Sequence, residues 1–499
     1  MFQSFEETAT SDHGPARLSA LRTQMRHDGL TGFLVPRADA HQGEYVSDHD
    51  ARLAWLTGFT GSAGFCAALL DSAGVFIDGR YRTQVKSQVD LAHFTPVPWP
   101  ETKLHDWLRD ELPNGGVIGF DPWLHTADDI ETLEIGLTGS RISLRPTANL
   151  VDAIWPDQPA PPTGKITPYP ETLAGESHAA KRARLAAELR NQGQEAVALT
   201  LPDSIAWLLN IRGSDISRNP VPHCFAILHD NAHLTLFVDA AKLDDTLRAH
   251  LGTDITLRPV SAFGPALRSL TGTVRVDKNT APVWIKHQLT EADVPCAWAA
   301  DPCLLPKARK NPAEIAGMEA AHLRDARAMI RFLAWLDAAA PQGALTEIDV
   351  VTALEGFRTQ TNALRDISFE TIAGAGPNAA IVHYRVDENT NRPVKLDELL
   401  LVDSGGQYID GTTDITRTIA IGTPSDDHRQ CYTRVLQGMI AVSRIRFPKG
   451  VGGQHLDALA RAPLWLAGLD YDHGTGHGVG SYLSVHEGPQ GISRRSEVA

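Results

Sequence analysis

The sequence predicts a mixed α/β (α+β) protein of three successive units. Three observations carry this reading. Short apolar runs bounded by turn residues alternate with helical spacings through the N-terminal part. A proline cluster, Pro156, Pro159, Pro161, Pro162, Pro168 and Pro170, interrupts the pattern, which then begins again. Past Asn311 the order changes to two helices followed by a run of strands. A chain of 499 residues has room for this at roughly 100–200 residues per domain.

Taken in order, Leu18, Leu21 and Met25 have helical spacing, and Gly32–Pro36 reads as a buried strand closed by its proline. A strand pair is expected around Phe65–Leu70 and Gly74–Asp78, then a helix from about Tyr81. The proline cluster lacks backbone donors and favours extended chain, so it reads as a linker. Beyond it, a helix carries Leu185 and Leu189, and strands follow at Ala196–Thr200, Cys224–Leu228 and Leu234–Val238. Ala54-Trp55-Leu56 followed by Gly61-Ser62 is echoed, at identical spacing, by Ala206-Trp207-Leu208 and Gly213-Ser214. Together with the similar order of elements, the echo predicts a duplication.

Asn311-Pro312-Ala313-Glu314 is a helix start: Asn caps, Pro occupies the first helical position, and Glu reaches back. Ile315, Met318, Leu323, Met329, Ile330, Leu333 and Leu336 are expected along that helix, and Ile348, Val351, Leu354 and Phe357 along a second. Strands are expected at Glu370–Ala373, Ala380–Tyr384, Leu399–Val402 and Thr416–Ile421. One further helix carries Tyr432, Val435, Leu436, Met439 and Ile440. Another runs about Leu456–Leu466, with Pro463 bending it or ending it early.

Composition narrows the function. The net charge of −14 argues against a general nucleic-acid binder. No apolar run approaches the ~18 residues that cross a bilayer, and the polar N-terminus lacks signal-peptide form. Cys66, Cys224, Cys296, Cys303 and Cys431 are few and scattered, which reads as reduced thiols in a cytoplasmic protein.

Chemistry-bearing residues gather in the third unit. Asp403 ends the apolar run Leu399–Val402, where a carboxylate must be paired, capping or metal-bound. Asp414 lies eleven residues on, past Asp410-Gly411-Thr412-Thr413, so a hairpin could set the two side by side. Taken alone, this segment is more often a turn with capping aspartates. His477 sits within the glycine-rich Gly474–Gly480, and His486 nine residues later in His486-Glu487-Gly488-Pro489. His383 lies in Ala380–Tyr384, where a lone histidine is commonly a satisfied core residue. Three histidines and two aspartates in one unit favour a metal hydrolase site of oxygen and imidazole ligands. No G-x-S-x-G elbow, H-E-x-x-H helix or P-loop is present.

These motifs resemble the three-domain Xaa-Pro aminopeptidases (aminopeptidase P) of the pita-bread metallopeptidases. The resemblance rests on Val402-Asp403-Ser404-Gly405, Asp410–Thr418, Gly474–Gly480 and His486–Pro489. It extends to Asp39-Ala40-His41-Gln42 and Asp78-Gly79-Arg80-Tyr81 of a first creatinase-type domain and Arg212-Gly213-Ser214-Asp215 of a second. It implies creatinase-type domains at 1–158 and 159–308 and a pita-bread domain at 309–499, incomplete at its C-terminus. It also implies roles. Asp403, Asp414 and His477 match ligands of a centre of two divalent ions, usually Mn²⁺. His383 and His486 match histidines that contact substrate and stabilise the tetrahedral intermediate. Arg80 matches a substrate-binding arginine, with an ordinary ion pair as the alternative. The implied reaction is attack of a metal-bridging hydroxide on the first carbonyl of peptides with proline at position two, in a homodimer with no membrane or nucleic-acid partner.

The chain departs from the family in one respect. The family's centre has two further glutamate ligands, in a D-E-P-G-Y-like run and near I-R-I-E-N, and neither run is present. Glu487 and Glu497 are the only glutamates after His477. Glu487 belongs to the His-Glu-Gly-Pro motif, where it is not a ligand. On this reading the chain is C-terminally truncated and expected to show little or no peptidase activity as it stands. The alternatives are a non-catalytic pita-bread binding protein and a prolidase-like dipeptidase.

Overall fold

The computed structural model describes residues 1–7 and 10–496. Two compact units emerge: residues 8–307, and residues 308–499 together with the N-terminal residues 1–7.

The first unit holds two six-stranded sheets. Strands β1 (Gly32–Pro36), β2 (Phe65–Leu69), β3 (Ala73–Ile77), β4 (Thr95–Pro98), β5 (Gly116–Phe120) and β6 (Ile142–Pro146) lie in the order β4-β3-β2-β1-β5-β6. Strands β7 (Ala196–Leu199), β8 (Phe225–His229), β9 (Leu234–Phe237), β10 (Ile255–Arg258), β11 (Val274–Val276) and β12 (Cys296–Trp298) lie in the order β10-β9-β8-β7-β11-β12. The two orders are the same, and so is every pairing sense. The first two hairpin links of each sheet are antiparallel and the other three links parallel. The echoed Trp55 and Trp207 fall on corresponding helices, Arg52–Thr57 and Pro202–Leu209. This topological identity supports the duplication read from the sequence. Leu18, Leu21 and Met25 are fully buried on the helix Gly14–His27. The helix expected from Tyr81 is confined to Val85–Gln88.

The second unit opens with the helix Pro312–Ala339, capped as expected. Asn311 Oδ1 accepts from the Ala313 and Glu314 amides, and Glu314 Oε2 accepts from the Asn311 amide at 2.9 Å. Its buried face differs from the apolar positions read in the sequence. Ala321, Asp325, Ala328, Met329, Phe332 and Leu336 point inward, whereas Ile315, Leu323 and Ile330 are exposed. Asp325 earns its inward place by pairing with Arg358 of the next helix, Glu347–Thr359, at 2.7 and 3.0 Å, and by accepting from Tyr408 Oη at 2.7 Å. Burial alone would raise the Asp325 pKa, but the Arg358 guanidinium outweighs it and holds the carboxyl below its ordinary value. The N-terminus joins this unit, with Gln3 exchanging side-chain hydrogen bonds with the backbone of Thr371.

Strands β13 (Leu364–Ile367), β14 (Ile372–Ala375), β15 (Glu398–Ser404), β16 (Gly406–Tyr408), β17 (Gly411–Thr412) and β18 (Ile415–Ile421) form two three-stranded sheets, β13-β16-β17 and β14-β15-β18. The strand expected at Ala380–Tyr384 is absent. A 3-10 turn spans Gly376–Ala380, and His383 has a left-handed φ of 57°. The reason is a buried carboxylate. Glu347 accepts from the Ala375 amide, Asn378 Nδ2, Tyr384 Oη and the Arg392 amide, curling the chain around itself. The helix Asp426–Arg444 exposes Tyr432, Val435 and Met439, and the helix Gly453–Trp465 runs two residues past Pro463. Among the described residues no helix is long and apolar enough to cross a membrane.

Asp325→Ala should lower stability by about 3–5 kcal/mol, because it strands the Arg358 charge in the interior. Denaturant unfolding checks this, and a loss below about 1 kcal/mol contradicts it.

Candidate metal centre

Asp403 comes from the penultimate position of β15, where its register partners are Ile372 of β14 and Thr416 of β18. The chain leaves β15, makes the small β16–β17 hairpin in the neighbouring sheet, and returns through Asp414 into β18. That return is fixed by backbone bonding. Thr413 N donates to Gly406 O, Gly406 N donates to Thr413 Oγ1, both at 2.9 Å, and Ser368 Oγ donates to Thr413 O. The two aspartates therefore meet, as the hairpin reading required. Burial first, then the neighbouring Asp414 charge, pushes the Asp403 pKa up to about 6.

His477 lies on β19 (Gly476–Gly478), paired with β20 (Glu487–Ile492). Its Nδ1 lies 2.8 Å from Gly478 O, and a carbonyl accepts only from N–H, so the proton sits on Nδ1. Its Nε2 lies 3.2 Å from Asp414 Oδ2. The His486 ring stands edge-on to His477 at 4.3 Å and nearly parallel to His383 at 6.3 Å. Asp414, His477 and His486 present ligand atoms within 4.8 Å of one another. The structure thus gathers Asp403, Asp414, His477, His486 and His383, with His486 nearer the ligand cluster than a purely substrate-facing residue need be.

The loop between His477 and His486 is pinned by a buried polar network. Gln407 Nε2 donates to Leu483 O at 2.9 Å, Leu483 N donates to Thr412 Oγ1, and Thr412 Oγ1 donates to Gln407 Oε1. Glu487, adjacent to His486, is fully buried and ion-pairs with Lys310. Sequence reasoning missed Lys310, although it immediately precedes the Asn311 cap. Glu487 is thus a structural anchor, in keeping with its exclusion as a ligand, and Glu497 lies outside the described residues.

The donors fit a divalent cation. Asp403 Oδ1 is buried with no hydrogen-bond donor, Asp414 Oδ2 faces Nε2 of an imidazole whose Nδ1 is taken by the Gly478 carbonyl, and among the described residues no lysine or arginine pairs with either aspartate. Arg80 lies in the other unit, 2.7 Å from Asp78 and 4.0 Å from Glu44, over the Tyr81 ring.

Residues 17–154 and 157–314 each match the Creatinase/Prolidase N-terminal domain, and residues 316–499 match Metallopeptidase family M24. The chain is 40% identical over 496 residues to a probable Xaa-Pro aminopeptidase P of Laccaria bicolor, covering 96% of this chain and 76% of that one. The chain belongs to the Xaa-Pro aminopeptidase P family. Within it, the human Xaa-Pro aminopeptidase 2 is 37% identical, covering 95% of this chain and 72% of its own length. The X-prolyl aminopeptidase of Caenorhabditis elegans, described as a cytosolic enzyme with a di-nuclear active site, superposes with a TM-score of 0.92 at 33% identity, over 97% of this chain and 82% of that one. Family and fold agree with the creatinase-type and pita-bread reading. The expected inactivity finds no support in these likenesses.

Metal-free protein should lose stability as pH rises from about 4 to about 6. The folded chain keeps a proton on Asp403 up to about pH 6, whereas the unfolded chain releases it near its ordinary value of about 4. The effect is on the order of 2 kcal/mol. Chelator-treated protein melted across this range checks it, and Asp403→Asn should abolish that slope.

Proposed function

We propose that this chain removes the N-terminal residue from peptides carrying proline at position two, using two divalent cations with Mn²⁺ as the working metal. The observation that carries the proposal is the meeting of Asp403, Asp414, His477 and His486 with, among the described residues, no lysine or arginine paired to either aspartate. Three segments, 1–158, 159–308 and 309–499, a cytoplasmic location and a homodimer belong to the same proposal. The cytosolic relative supports the location.

Asp403, Asp414 and His477 would hold the cations. When bound, such a pair supplies a Lewis acid and an activated water. The remaining chemistry falls to the chain. Asp403 must release its proton to bind a cation, a release that burial first and the Asp414 charge second oppose until a cation is there to compensate both. His477, with Nδ1–H on Gly478 O, offers Nε2 as a donor atom in a fixed orientation. A ring N–H of His486 or His383 donates to the carbonyl oxygen of the first residue as charge gathers there. The left-handed backbone at His383, a strain of order 1–3 kcal/mol, is the kind retained where a side chain must be held in a set position. Arg80 binds substrate in this proposal on the strength of the family resemblance. Among the described residues the family's two glutamate ligands have no counterpart.

With Mn²⁺ and an Xaa-Pro tripeptide, Asp414→Asn and His477→Ala should each lower kcat/KM by about 10²–10³-fold. His486→Ala should act chiefly on kcat. Turnover unchanged in His477→Ala contradicts the proposal. Preference for Xaa-Pro dipeptides over tripeptides replaces it with the prolidase-like reading.

A further inference from the structure

A second convergence of metal-binding groups lies in the first unit, where its two α/β halves meet. Asp39 follows β1, Asp50 ends the 3-10 turn Asp48–Asp50, and His223 lies two residues before the start of β8. Their ligand atoms lie within 4.8 Å of one another.

Asp39 is 1% exposed. Its Oδ1 accepts from the His41 amide at 2.8 Å, while Oδ2 is buried and has no hydrogen-bond donor. That same Oδ2 stands 3.3 Å from His223 Nε2, within reach of an ion pair but outside strict hydrogen-bond geometry. A tetrahedral cation with bonds of ~2.0–2.1 Å sets its ligand atoms ~3.3 Å apart. Asp414 and His477 approach each other at nearly the same distance, 3.2 Å, in the centre described above.

Charge bookkeeping agrees. Arg52 is held bidentately by Asp152 at 2.6 and 3.0 Å, and Lys242 by Asp215 at 2.7 Å. Arg52 serves Asp50 as well, so three carboxylates, Asp39, Asp50 and Asp152, share one guanidinium and one imidazole. Asp50 accepts from Arg52 at 2.9 Å and from Ser47 Oγ at 2.6 Å, contacts that orient it and leave each oxygen a further lone pair. The His223 ring is packed by His41, 4.4 Å away, which is stacked in turn on Phe225.

We propose that Asp39, Asp50 and His223 form a further divalent-cation site of zinc type, closed by solvent, that ties the two halves of the first unit together. An imidazole and two carboxylates are a zinc donor set. The site is independent of the peptidase centre and of the reaction assigned to it.

The test uses the full chain carrying D403N, D414N and H477A, which removes the ligands of the other centre. The protein is stripped with chelator, given Zn²⁺, freed of excess metal and analysed for metal content. It should retain about one equivalent of Zn²⁺ and melt at a higher temperature than its metal-free form. Adding H223A should reduce retention at least tenfold and abolish the thermal shift. D50N, at a half-buried position, is the second variant and should weaken retention in the same direction. Co²⁺ in place of Zn²⁺ should give the visible absorption of a tetrahedral site, lost with H223A. No retained metal in the triple variant, or retention unchanged by both H223A and D50N, overturns the proposal.

Discussion

Two carboxylates brought to the end of one antiparallel ladder set the terms for the second unit. Asp403 is fixed by its register with Ile372 and Thr416, and Asp414 by the Thr413–Gly406 bonds just before it, so the two stay together when both are charged. Without a counter-ion, burial and then this repulsion push the Asp403 pKa up to about 6, so the carboxyl keeps its proton well above the usual carboxylate range. A cation answers the repulsion at lower cost, because one divalent charge satisfies both groups. The neighbouring elements serve this arrangement. The Thr413–Gly406 bonds return the chain at the correct residue, and the Gln407–Thr412–Leu483 network fixes the loop that carries the histidines.

Other carboxylates of this unit set the pair apart. Asp325 has Arg358, Glu487 has Lys310, Asp410 has a bidentate Arg324 at 2.9 Å, and Glu347 has a shell of amide and hydroxyl donors. Each is answered from within the chain. An unpaired buried charge costs several kcal/mol, so structural carboxylates acquire partners as part of folding. Asp403 departs from that rule, since its Oδ1 has no donor, and half-buried Asp414 beside it faces His477, with no lysine or arginine paired to either aspartate among the described residues. The contrast separates a site from an ordinary buried ion pair without reference to any relative.

How much of this was legible in the sequence depended on how local the deciding interaction is. The Asn311 cap, the strand Gly32–Pro36 and the buried face of Leu18, Leu21 and Met25 follow from neighbours within a few residues, and all were readable. The hairpin that joins Asp403 to Asp414 was readable because turn residues mark it. The chain around His383 was not. Its apolar run has strand character, yet Glu347, 36 residues earlier, draws the backbone into a turn through bonds that no local pattern announces. The helix Pro312–Ala339 misled in the opposite way. Its core face uses Ala321, Ala328 and the paired Asp325, so counting large apolar residues placed Ile315, Leu323 and Ile330 inside when they lie outside. Lys310 escaped for the same reason, since its partner Glu487 is distant in sequence.

The duplication in the first unit shows where new chemistry entered an old frame. The two sheets share strand order and pairing sense, so the scaffold is common to both halves. The halves differ in their loops. Between β1 and the helix Arg52–Thr57 the first half inserts residues 37–51, which carry Asp39, His41 and Asp50, whereas the second half spans the corresponding gap with residues 200–201. The second half instead lengthens the connection from the helix Pro202–Leu209 to β8, which carries Asp215 and His223. Each half thus enlarged a different loop, and the enlarged loops meet through Asp39 and His223. Loops tolerate such growth because their backbone stays near solvent, while strands fixed in a ladder do not. Polar groups that meet at a seam created in this way have no ancestral core partner, which is why their charges are balanced by one another and by what they can bind.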